Sequence, residues 1–228
     1  MGKDKLRKFA ALHEYPHVVE PSTETAMSDE VYPLKGKWSK ELFGNDNPII
    51  LELGCGKGEY TVGLARKYKD YNFIGVDIKG NRIWRGATTC LEEGIKNAGF
   101  LRTKVDFIDK FFAKDEVAEI WLTFSDPQPA KPRKRLTSPL FIERYRKILR
   151  PGGIINIKTD SDLLFEYTLE QIEEHNYDLK LKSWDVYGEL LKDTTPEITY
   201  KMGIRTYYES KWLEMDITTK YAQFGIDK

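Results

Sequence analysis

The feature that most constrains this chain is a short apolar run, Ile49-Ile50-Leu51-Glu52-Leu53, that ends in Gly54-Cys55-Gly56-Lys57-Gly58. A run this short and this apolar reads as a strand buried on both faces, which is the habit of parallel sheets. Glycines at alternate positions after it let the backbone turn tightly and come close to a ligand. The P-loop pattern fails, because no Gly-Lys-Ser/Thr follows at the required spacing. A dinucleotide loop wants its third glycine one residue later than Gly58.

From Pro48 onward the pattern repeats. Helical spacing covers residues 60–69, Tyr71–Asp77 reads as a second strand, and 81–97 as a second helix with Asn81 as its N-cap. Phe100–Val105 follows as a strand, 108–112 as a short helix and Glu119–Phe124 as a fourth strand. A helix runs from Ser138 to Leu149, stopped by Arg150-Pro151-Gly152-Gly153. Ile154–Lys158 is a fifth strand and Asp162–His175 its helix. Such alternation predicts an α/β fold: a doubly wound, Rossmann-like and mostly parallel sheet with helices on both faces. The tail breaks the rhythm with a strand at 178–185, a long loop, a helical piece at 207–213 and a last strand at 218–224, which makes the C-terminal strand antiparallel. Residues 1–47 have weak periodicity and read as a partly flexible basic arm with at most a short helix around Leu6–Leu12. Residues 48–228 read as one domain.

Composition matters mainly for what it withholds. Lys+Arg and Asp+Glu both number 36, so no global basic bias announces a nucleic-acid partner, and any such partner must rest on local clusters. Lys3, Lys5, Arg7 and Lys8 form one, and Lys131, Arg133, Lys134 and Arg135 another. No apolar stretch is long enough for a bilayer, and the N-terminus lacks the apolar core of a secretory signal, so a cytoplasmic protein without membrane contact is expected. Cys55 and Cys90 offer neither a disulfide framework nor metal-ligand spacing, and the three histidines join no recognisable triad. No metal is expected.

Asp77 ends the second strand, where a carboxylate can accept hydrogen bonds from a ribose diol. Together, Glu-x-Gly-x-Gly-x-Gly and this acid resemble the class I S-adenosylmethionine methyltransferases. After the fourth strand come Phe124-Ser125-Asp126-Pro127-Gln128-Pro129 and the basic run. In a doubly wound sheet that strand end lies beside the ligand crevice. Asp126 would face the methyl acceptor, and the cations would hold phosphates.

With these motifs, the chain resembles the bacterial tRNA (guanine-N(7))-methyltransferases over nearly its whole length. The resemblance includes Lys5-Leu6-Arg7-Lys8-Phe9-Ala10, Tyr15-Pro16-His17-Val18-Val19-Glu20-Pro21, Lys158-Thr159-Asp160 and Thr206-Tyr207-Tyr208-Glu209. It implies methyl transfer from S-adenosylmethionine to the seventh nitrogen of a guanine in the variable loop of tRNA, by a monomer or homodimer. It implies cofactor contacts at Glu52, Gly54, Gly56, Asp77, Asp106 and Asp126, with Asp126 catalytic. Substrate contacts fall on Lys131, Asp160, Thr206 and Glu209. Two departures stand out: Gln128 occupies a position where the family usually has Trp, and the basic segment is about two residues shorter, which shifts the match at Lys131. Asp160 also suits a helix N-cap, and Thr206 with Glu209 a capping box. A methyltransferase for another RNA base and a non-catalytic RNA-binding protein of the same fold are the alternatives. A nicotinamide dehydrogenase lacks both the glycine spacing and a catalytic constellation.

Overall fold

The computed structural model describes residues 2–227, with side chains from Leu6 onward, so Lys3 and Lys5 of the N-terminal basic cluster lie outside the described side chains. In chain order the elements are α1 (Gly2–His13), β1 (Val18–Val19), α2 (Thr23–Met27), α3 (Trp38–Phe43), β2 (Ile49–Leu53), α4 (Glu59–Lys67), β3 (Asn72–Asp77) and α5 (Gly80–Glu93). There follow β4 (Ala98–Arg102), α6 (Ile108–Phe111), β5 (Val117–Thr123), α7 (Pro139–Arg146), β6 (Leu149–Thr159), α8 (Asp162–Glu174), β7 (Asp178–Ser183), α9 (Pro196–Gly203), α10 (Tyr207–Leu213) and β8 (Lys220–Gly225).

The strands form one sheet in the order β1-β4-β3-β2-β5-β6-β8-β7. Pairing is parallel from β1 through β6, and β8 runs antiparallel to both β6 and β7. This is the doubly wound sheet expected from the alternation. Every residue of β2 and of β3 is buried, as strands covered by helices on both faces require. The order reverses at β2, whose neighbours are β3 and β5, and such a switch point opens a crevice at the carboxyl ends of the strands.

Several boundaries differ from the sequence reading for local reasons. Lys79, not Asn81, stands at the N-cap of α5, and no side chain caps it. Ser138 occupies the cap position of α7, but its hydroxyl donates to the Arg133 carbonyl instead. Arg150-Pro151-Gly152-Gly153 does not separate helix from strand. It lies within β6, where the register against β5 jumps from Val117↔Leu149 to Glu119↔Ile154 and accommodates the extra residues. The loop expected between β7 and α10 contains α9, begun by Thr195, whose hydroxyl accepts from the Ile198 amide.

The first 47 residues hold more regular structure than their weak periodicity suggests. Helix α1 spans twelve residues, and β1 extends the sheet by pairing with β4. Trp38 is fully buried, donates its indole N–H to the Phe111 carbonyl at 2.8 Å and stacks on Phe112. A buried indole of this size ties the segment to the core.

Candidate functional site

Four strand ends converge on one cavity of about 530 Å³: Gly54 after β2, Asp77 at the end of β3, Asp106 after β4, and Phe124, Ser125 and Asp126 after β5. Gly54, the first residue of the glycine loop, lines its floor. Gly54 and Gly56 have φ of +77° and +56°, and a Cβ added at either would meet nothing within 4 Å. The backbone there borders open space, which is the cradle a ligand would fill. Asp77 holds the loop in place, accepting from the Gly56 amide at 3.0 Å and from the Lys79 amide at 2.7 Å. Its remaining lone pairs suit a ribose diol.

Glu52 sits beneath the loop and is not part of the cavity wall. It is 3% exposed and accepts from the Thr61 amide and hydroxyl at 2.8 and 2.6 Å and from the Thr123 hydroxyl at 2.6 Å. It therefore joins β2 to α4 and β5 under the floor. Burial pushes its carboxyl up to about 7, against the pull of those three hydrogen bonds. A carboxyl raised on folding binds its proton more tightly in the native state. Its contribution to stability is thus full below the ordinary carboxyl range and is lost as pH rises to about 7. Glu52→Gln is expected to remove that loss, which amounts to at most about 3 kcal/mol. Urea unfolding of parent and variant at pH 5 and pH 8 checks it, and identical pH slopes would refute it.

Asp106 lines the cavity but is already engaged with Lys134 at 2.8 Å. Partial burial opposes its charge, yet the hydrogen bond and charge of Lys134, with Arg144 nearby, hold the carboxyl below the usual range. The basic run divides its work. Lys131 and Lys134 line the cavity. Arg135 is buried, donates to the Pro127 carbonyl at 2.9 Å and lies over Tyr167, so it pins the loop and is not a free cation at the mouth.

Asp126 is exposed on the cavity wall, one carboxylate oxygen accepting from the Gln128 amide at 2.9 Å. Phe124 and Gln128, on either side, have φ of +50° and +45°, conformations that non-glycine residues adopt at some energetic cost. The Phe124 amide continues the sheet to the Lys158 carbonyl at 2.8 Å. The hydroxyl of Ser125, on the cavity wall, is buried and finds no hydrogen-bond partner in the protein. A buried hydroxyl without a protein partner is a group that a ligand in the cavity could satisfy.

The remaining expected residues lie elsewhere. Asp160 does not cap α8; Ser161 does, accepting from the Leu164 amide. Thr206 and Glu209 form the capping box of α10. Glu209 is wholly buried, 2.6 Å from the Lys158 ammonium, and accepts from the Tyr187 hydroxyl at 2.7 Å. Burial pushes Lys158 down to about 8, with Glu209 pulling it back up. Its ammonium also donates to the Met202 carbonyl at the end of α9 and faces the rings of Tyr60, Phe124 and Tyr187. The sequence reading missed Lys158 as a member of this cluster. Its place at the buried end of a central strand, where an unpaired lysine is untenable, was the available signal.

Among the described residues, no three His, Cys, Asp or Glu side chains gather to hold a metal ion, and no helix is long and apolar enough to cross a membrane.

Residues 46–222 match a family model described as "Putative methyltransferase". The chain is 54% identical to the tRNA (guanine-N(7)-)-methyltransferase of Bacteroides fragilis (strain YCH46), covering 98% of this chain and 86% of that one. It is 46% identical to the tRNA (guanine-N(7)-)-methyltransferase of Christiangramia forsetii, covering 99% of both. In fold it is similar to the 16S rRNA methyltransferase KamB, with a TM-score of 0.63 at 13% identity over 88% of this chain and 97% of that one.

Proposed function

The chain belongs to the tRNA (guanine-N(7)-)-methyltransferase family, and on that premise we propose that it transfers a methyl group from S-adenosylmethionine to the seventh nitrogen of a guanine in the variable loop of tRNA. The observation that carries the reading is the shared cavity of Gly54, Asp77, Ser125 and Asp126 at the switch point of the sheet. S-adenosylmethionine, when bound, supplies an electrophilic methyl on a sulfonium, which the lone pair of the guanine nitrogen takes as the carbon–sulfur bond breaks. That nitrogen carries no proton, so no side chain has to act as a strong base. The protein's task is alignment, an effect that reaches roughly 7–11 kcal/mol in well-oriented systems.

In this reading Gly54 and Gly56 give the donor room, Asp77 takes the ribose diol and Asp106 lies on the adenine side. Glu52 acts on the donor through the loop it supports. Asp126, beside the acceptor, offsets the positive charge that the purine gains. Lys131 meets a phosphate, and Asp160, off the cavity wall, is assigned to donors on the guanine's Watson–Crick edge only as the resemblance implies. Thr206 and Glu209 serve the substrate by holding α10 in place. The base leaves its stack to enter the cavity. Residues 48–228 carry this chemistry and residues 1–47 act as a basic arm toward the RNA, in a cytoplasmic monomer or homodimer.

The test is incubation with methyl-labelled S-adenosylmethionine and bulk tRNA from a strain lacking the modification, followed by nucleoside analysis. Labelled 7-methylguanosine is expected. A different labelled nucleoside would move the acceptor to another base, and tRNA binding without any labelled product would leave a non-catalytic RNA-binding protein.

A further inference from the structure

A second cavity among the described residues is larger than the one at the switch point. It is an open groove of about 1070 Å³ between α4 and α5, reaching from Lys57 to Arg66 and Thr89, closed on the far side by α9 and the turn into α10. Its walls carry Lys8, Lys57, Arg82, Arg85 and Arg205 together with the indole of Trp84. Arg66 also lines it but is committed to Glu93 by two hydrogen bonds of 2.7 and 2.5 Å. The one acid on the wall, Glu59, accepts from the Tyr207 amide at 3.3 Å. In a chain with as many acids as bases, such an excess of cations is a local construction, and it marks an anionic partner.

Two further facts narrow that partner. Arg82 lines both this groove and the cavity that holds Asp77 and Asp126, so the two spaces share a wall. A strand whose base enters the smaller cavity can therefore continue across that shared wall into the groove. The ring of Trp84 also stands among the cations, with the Lys8 ammonium 4.9 Å from its centroid. Aromatic faces set among cations are what single-stranded nucleic-acid sites use.

We propose that this groove carries the RNA backbone flanking the extruded base, with phosphates against Lys57, Arg82, Arg85 and Arg205. The proposal rests on tRNA being the substrate, and it assigns the path of the strand outside the reaction cavity. Arg85 and Arg205 are exposed and do not line that cavity, although Arg205 lies over the Tyr187 ring at 5.0 Å, so donor binding is expected to survive their replacement. The double variant Arg85→Glu/Arg205→Glu is expected to bind an unmodified tRNA transcript at least tenfold more weakly at 150 mM salt. Its plot of log affinity against log salt should be shallower by about 1–2, since each lost phosphate contact removes roughly 0.7–0.9. S-adenosylmethionine affinity, unchanged, would certify the fold.

A second measurement uses the parent alone. tRNA should protect Arg85 and Arg205 from phenylglyoxal, whereas guanosine monophosphate at equal phosphate concentration should not. If the parent methylates guanine and the variant keeps the parent's tRNA affinity and salt slope, the groove proposal is overturned and the reaction stands. Equal protection by the mononucleotide would make the groove a small-anion site and overturn it too. A parent that binds tRNA through this groove but makes no 7-methylguanosine would instead sink the reaction.

Discussion

Asp126→Asn is expected to lose at least ~100-fold in the rate of methyl transfer to unmodified tRNA, while its affinity for S-adenosylmethionine stays within a few-fold of the parent. The substitution is chosen because asparagine keeps an oxygen where the carboxylate now accepts from the Gln128 amide. The loop, already held by the unusual backbone at Phe124 and Gln128 and by Arg135 on the Pro127 carbonyl, keeps its shape. In the proposed reaction, what disappears is negative charge beside a purine that becomes positive in the transition state. That charge is screened while the cavity is open to water and grows in effect once donor and base exclude it. The loss should therefore appear in kcat, with little change in the tRNA KM. Asp126→Ala, which also removes the loop contact, should be at least as slow. Single-turnover transfer with a tRNA transcript checks both, and an asparagine variant with parental kcat would remove Asp126 from the chemistry.

How much of this was legible in the residues depended on whether the signal was local. The run Ile49–Leu53 with its glycines, and the alternation after it, specified the parallel sheet because buried strands and helix faces leave distinct periods. The placement of Asp77 and Asp126 beside the cavity was legible because a strand end is a defined position in a doubly wound sheet. Trp38 was not, since a two-residue strand and five- and six-residue helices are too short to show a period, and their packing is decided by distant partners such as Phe111 and Phe112. Arg135 looked like one more cation in a basic run, yet it turns inward to the Pro127 carbonyl. The groove was invisible for the opposite reason. Arg82 and Arg85 are neighbours on α5, but Lys57 and Arg205 join them only when α4, α5 and α9 are packed.

Glu209 is where the resemblance and the geometry give different expectations, and the difference can be measured. A side chain reserved for the base should be accessible, and its loss should raise the tRNA KM without disturbing the fold. Glu209 is instead wholly buried, with its carboxylate shared among the Lys158 ammonium, the Tyr187 hydroxyl and the Thr206 amide. Removing one partner of a buried pair leaves the other charge uncompensated, which typically costs about 3–5 kcal/mol. Lys158 would keep the Met202 carbonyl and three ring faces, and these soften the loss without cancelling it. Glu209→Gln is therefore expected to lower the melting temperature by roughly 10 °C, given about 2–4 °C per kcal/mol for a chain of this size. The double replacement Lys158→Met/Glu209→Leu should recover most of that stability, because a buried pair exchanged for apolar side chains of similar volume is often near neutral. Transfer should recover in part with it, since α10 is then held again, though without its capping box. Thermal unfolding of the three proteins, with kcat and KM for tRNA, decides the matter. A Glu209→Gln variant that melts with the parent but shows a raised tRNA KM would put Glu209 back on the substrate.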